Sequence, residues 1–97
     1  MVEYFILDSD KTFKTIKAAR KYGQNHLTHK GKNGTTYTKI GVIKDGSRPY
    51  FIGEIQFVPG WQKNVLKYVR YEKDLTKNTL VYELKKDGTL GKVIERW

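Results

Sequence analysis

Six lysines, Lys11, Lys14, Lys17, Lys21, Lys30 and Lys32, fall in a stretch without a single acidic residue, and the chemistry they offer is the attraction of anions. The acid-free run extends from Lys11 to Lys44, 34 residues with nine Lys/Arg. Met1–Asp10 carries −3, Lys11–Lys44 carries +9 and Asp45–Trp97 carries +3, so the run holds as much charge as the whole chain's net +9. A positive field concentrated in this way suits a polyanionic partner, DNA or RNA before others. Lysine outnumbers arginine fifteen to four. Arginine supplies the planar fork that reads guanine, whereas lysine acts as a mobile point charge, so phosphates rather than base edges are the expected contacts.

Lys11, Lys14, Lys17 and Lys21 recur every three or four residues, the spacing that stacks side chains along one helix face. With no Glu among them they repel one another, and an anionic surface would remove that penalty. The segment His26-Leu27-Thr28-His29-Lys30-Gly31-Lys32-Asn33-Gly34 mixes glycine with lysine, so backbone N–H groups can approach a phosphate beside Lys30 and Lys32. It is not a nucleotide-binding P-loop, because the preceding glycine is missing and Asn33 follows Lys32 where Ser or Thr is required.

His26 and His29 are the other residues with chemistry to offer. No carboxylate or thiol lies in the basic run to complete a metal shell, so neither a metal nor a cofactor is expected. An unperturbed imidazole titrates near neutrality, and either histidine could act as acid or base in a small toxin-like ribonuclease, with Glu54, Arg48, Arg70 and Glu83 as helpers. The aromatics Tyr37, Tyr50, Trp61, Tyr68, Tyr71, Tyr82 and Trp97 fall in predicted strands and turns. Exposed rings there stack unpaired bases, and buried rings pack a core. Trp61, at the turn Pro59-Gly60-Trp61-Gln62, is the foremost stacking candidate. The aromatic signature of an RNA-recognition sheet motif is absent.

These residues need elements to position them. Tyr4-Phe5-Ile6-Leu7 reads as a buried strand. Ser9 or Asp10 then caps a helix over Lys11–Tyr22, with Gly23 as its left-handed terminator. On that helix Phe13, Ile16, Ala19 and Gly23 share the core face. The four lysines lie opposite, and Arg20 runs its stem along the boundary with its head in water. Asn33-Gly34 marks a turn, and five strands follow: Thr35–Ile43, Tyr50–Val58, Asn64–Glu72, Thr79–Lys85 and Leu90–Arg96. Turns at Lys44-Asp45-Gly46-Ser47, Pro59-Gly60, Asp74–Asn78 and Asp87-Gly88 separate them.

The expected fold class is α+β: one N-terminal helix packed on a largely antiparallel meander of about five to six strands, in the order β-α-β-β-β-β-β. Ninety-seven residues make one domain, 1–97. The chain has no cysteine, which excludes disulfides and thiolate metal sites. Its first residues lack a basic signal-peptide region, and no apolar run approaches a membrane span, so a cytoplasmic protein with no membrane partner is expected. The functional expectation is a small non-enzymatic binding module, monomer or homodimer, that contacts nucleic acid phosphates through the lysine helix face and the Lys30–Lys32 loop. The alternatives are a regulatory module that binds an acidic protein surface and, further off, the basic ribonuclease.

Overall fold

The computed structural model describes residues 1–60, 66–71 and 79–96. Eight strands and one α-helix form an α+β domain: β1 Val2–Ile6, β2 Thr12–Phe13, α1 Ile16–Gly23, β3 His29–Lys30, β4 Thr36–Lys44, β5 Tyr50–Phe57, β6 Leu66–Arg70, β7 Leu80–Leu84 and β8 Leu90–Arg96, with a 3-10 turn at Lys32–Gly34 between β3 and β4. The six expected strands are present. The count exceeds the expectation because two-residue strands, β2 and β3, flank the helix. All pairings are antiparallel, in the order β2-β1-β4-β5-β6-β7-β8, with β3 on β4. The last five strands form the meander, and the chain passes through the helix before β4 returns beside β1.

The helix is shorter than its periodicity suggests. Asp8 has a left-handed φ of 61° and turns the chain, so Thr12 and Phe13 pair back onto Phe5 and Tyr4. Strand pairing thereby claims Thr12 and Phe13. Ser9 Oγ accepts from Lys11 N at 3.2 Å, which spends its capping capacity inside that turn. The N-cap is instead Thr15, whose hydroxyl accepts from Ala18 N at 3.1 Å. Gly23 is also not the left-handed terminator. It is the last helical residue, Gln24 continues right-handed, and the need for glycine is steric: a Cβ there would lie 3.0 Å from both Ile55 Cδ1 and Ile6 Cδ1.

Strand alternation sorts the sheet into two faces. Ile6, Ile40, Ile55, Tyr68 and Leu84 pack with Ala19 of the helix, and Phe13, Ile16 and Tyr22 close the core from the helix side. Tyr68 crosses above Gly53, where a Cβ would come within 2.1 Å of its hydroxyl. On the opposite face Gly41 pairs with both Phe5 and Phe51, and a bulge at Ile52 realigns β5 at this point.

Thr38 is fully buried in the core, and among the described residues its hydroxyl finds no hydrogen-bond partner. Valine has the same shape without the polar atom. Thr38→Val is therefore expected to stabilise the protein by about 1 kcal/mol, because an unsatisfied buried hydroxyl is removed. In a domain of this size the melting temperature should rise by roughly 4–8 °C, measurable by thermal circular dichroism. A fall would show that the hydroxyl has a partner that matters.

Candidate nucleic-acid interface

All six lysines singled out in the sequence are exposed, but they do not form one helical stripe. Only Lys17 and Lys21 belong to α1, while Lys11 and Lys14 flank β2 because the β1–β2 pairing delays the helix. Lys11 nevertheless reaches the helix, its Nζ standing 4.9 Å from the Tyr22 ring centroid. Lys30 lies opposite Thr36, on the helix side of the sheet by alternation, and Lys32 begins the 3-10 turn. Asn33 and Gly34 both take left-handed φ values there, 57° and 76°, so the turn signal was read correctly.

The hairpin that carries Lys85 and Lys86 meets Lys17 and Lys21 from the far end of the chain. The β7–β8 turn docks on the helix so closely that a Cβ on Gly88 would lie 2.3 Å from Lys17 O and 3.0 Å from Lys21 N. Arg20 Nε donates to Gly88 O at 2.7 Å. Gln24 Nε2 donates to Lys86 O at 3.0 Å and to Lys85 O at 3.4 Å. The backbone of Lys85 and Lys86 is thus tied beside Lys17 and Lys21. Lys86 is exposed there, whereas the Lys85 side chain turns to the other face of the sheet, its Cε 3.4 Å from where a Cβ on Gly91 would lie. Asp87 is the acid in this cluster. Its carboxylate accepts from the Thr89 hydroxyl and amide, and these bonds, with Lys17 nearby, hold it below the usual carboxylate range.

Arg20 itself departs from expectation. Its head is not in water: the side chain is buried, with the guanidinium 5.3 Å from the Tyr68 ring centroid. Burial pushes the Tyr68 hydroxyl above the ordinary tyrosine range, and Arg20 acts against that shift. The arginine therefore joins helix, core and hairpin.

The two histidines have separate partners. His26 stacks on Tyr22 with centroids 3.8 Å apart, and its Nδ1 lies 2.9 Å from Tyr22 O, the geometry of a donated N–H. His29 Nε2 lies 2.7 Å from Asp8 Oδ2 and its ring faces Tyr37 at 5.5 Å, which fastens β3 to the β1–β2 turn. Glu54, the proposed catalytic helper, accepts from the Tyr71 hydroxyl at 2.7 Å and from Gln56. Burial, with the Glu54 carboxylate adding to it, pushes Tyr71 well above its ordinary range. No group of three metal-ligating side chains occurs among the described residues.

The aromatics divide into several roles. Tyr68 is core, and Tyr82 packs against it. Tyr71 serves Glu54, and Tyr50 lies beneath Lys44 at 5.9 Å. Trp61 and Trp97 lie outside the described residues. Phe5 and Phe51, outside that set of tyrosines and tryptophans, meet over Gly41 with centroids 5.6 Å apart, a contact that no local pattern signals. Among the described residues no helix is long and apolar enough to cross a membrane. Comparison with protein-family models, curated proteins and solved structures found no significant match.

Proposed function

We propose that the protein binds nucleic acid through its phosphates, using the helix side of the molecule. The observation that carries this reading is the docking of the β7–β8 turn on α1, which brings the exposed Lys86 beside Lys17 and Lys21. Segments more than sixty residues apart are held together there by one buried and one exposed hydrogen bond. Lys11 and Lys30 extend the positive surface on the same side. Such an array has no built-in fork for reading bases and engages a backbone of regularly spaced charges. The charge concentration would also speed encounter with a polyanion.

If these five lysines engage a duplex, the binding constant should fall with salt at a log–log slope of about −4.5. Converting Lys11, Lys17, Lys21 and Lys86 to glutamine should reduce the magnitude of that slope by about 3 to 4 and weaken binding evenly across sequences. Fluorescence anisotropy of labelled duplexes over a salt series provides the measurement. A flat salt response, or an unchanged slope in the fourfold variant, would remove the proposal.

A further inference from the structure

The sheet face opposite the helix carries a different kind of surface. Along the outward positions of β4 the order is Tyr37, Lys39, Gly41, each about 7 Å from the next as in any strand. At one end the Tyr37 ring meets His29 of β3 at 5.5 Å. At the other, the Phe5–Gly41–Phe51 row places two rings over a residue with no side chain. A Cβ on Gly41 would lie 2.1 Å from Phe5 Cζ, so only glycine lets Phe5 lie down against the strand. Lys39 stands between the two ring pairs, its Nζ 5.6 Å from the Phe51 centroid.

Phe51 is 37% exposed, which is unusual for a phenylalanine in the middle region of a sheet. The nearby carboxylates are already engaged: Asp8 by His29, and Glu54 by Tyr71 and Gln56. Lys39 itself forms no ion pair among the described residues, and the Glu54 carboxylate lies directly across from it in the ladder. One exposed ring and two half-buried ones, with a cation between them and strand-like spacing, suit unpaired bases stacked above a sheet, with a phosphate drawn to the lysine. A duplex cannot use this surface, because its base faces are covered by their own neighbours.

From this arrangement we infer that the outer face of β1, β4 and β5 is a binding site for single-stranded nucleic acid, with Phe51, Phe5 and Tyr37 as stacking residues and Lys39 as the phosphate contact. It rests on different residues from the phosphate-binding helix side and fails separately from it.

The test compares a short labelled oligothymidylate with a duplex of equal length, using Phe51→Leu and Phe51→Trp. Leucine keeps apolar bulk at a position that is already partly exposed and removes the π face, so fold and melting temperature should hold. Phe51→Leu should weaken single-strand binding by about 5- to 150-fold, the range for losing one stacked base, with duplex binding unchanged. Phe51→Trp should restore single-strand affinity to the wild-type level or above, which a purely packing role would not do. The inference is overturned if leucine binds the oligothymidylate as well as the wild type, or if leucine and tryptophan are equally weak. Loss of duplex binding in the fourfold lysine variant with single-strand binding intact would support two separate surfaces. Single-strand binding that disappears with those lysines while Phe51→Leu changes nothing would place all binding on the helix side.

Discussion

Gly88→Ala is expected to lower the melting temperature by roughly 15 °C, from a destabilisation of about 3 kcal/mol. Two effects combine. Gly88 has φ +91°, a conformation that side-chain-bearing residues adopt only with strain. The new Cβ would also lie 2.3 Å from Lys17 O, a backbone atom inside the helix that cannot swing aside as a side-chain tip can. Either the helix or the hairpin must retreat, and the Arg20–Gly88 bond at 2.7 Å lengthens with it. Gly46→Ala isolates the first effect: its φ is +77°, and nothing lies within 4 Å of its Cβ. Thermal unfolding of both variants separates strain from collision. Equal losses would mean that the helix and hairpin are not held in close contact. Because Lys86 sits on the displaced hairpin, Gly88→Ala should also weaken duplex binding at temperatures where the protein remains folded.

Arg20→Ala comes next in size, at about 2 to 3 kcal/mol. The guanidinium supplies a charge-assisted hydrogen bond to Gly88 O and a ring contact to Tyr68, and its methylene stem fills space at the helix–sheet boundary. Truncation removes all three and leaves a carbonyl without its donor. Against this stands the relief of no longer burying a charge, which keeps the loss below that of a broken buried ion pair. Arg20→Met retains most of the stem, so it should lose clearly less than alanine. Hydrogen exchange gives a local readout: the Gly88 and Lys85 amides, which close the hairpin onto Lys85 O and Thr89 O, should exchange faster in both variants. Chemical denaturation that shows no loss for alanine would mean that desolvation cancels the bond entirely.

Most of the strands were legible because their signals are local. Alternation along Thr36–Lys44 and Tyr50–Phe57, and turn chemistry at Gly46 and Gly88, depend on neighbours a few residues apart. The helix start was not legible. Lys11–Phe13 satisfies a helical pattern, but Thr12 and Phe13 pair with β1 and the Lys11 amide donates to Ser9 Oγ, and pairing with an adjacent strand outcompetes a helical turn that would stand alone. Nor was Arg20's position legible, since a wheel shows which side a residue faces but not that a hairpin will arrive to cover it. The site followed the same division. Exposure of the six lysines could be read from their composition and spacing, whereas their neighbours could not.

The sequence by itself determined the fold class, the strand-and-turn order of the meander, and the concentration of positive charge in one acid-free run, because these rest on residue type and short-range periodicity. Only the tertiary structure decided which lysines stand together, since Lys86 is brought to Lys17 and Lys21 by the close approach of Gly88 to the helix, while Lys85 turns to the other sheet face. It also decided why Gly41 and Gly53 are glycines. Each lies under an aromatic ring brought from another strand, Phe5 in one case and Tyr68 in the other. Steric fit between segments distant in the chain leaves no mark on local patterning, and that fit sets both the basic cluster and the aromatic face.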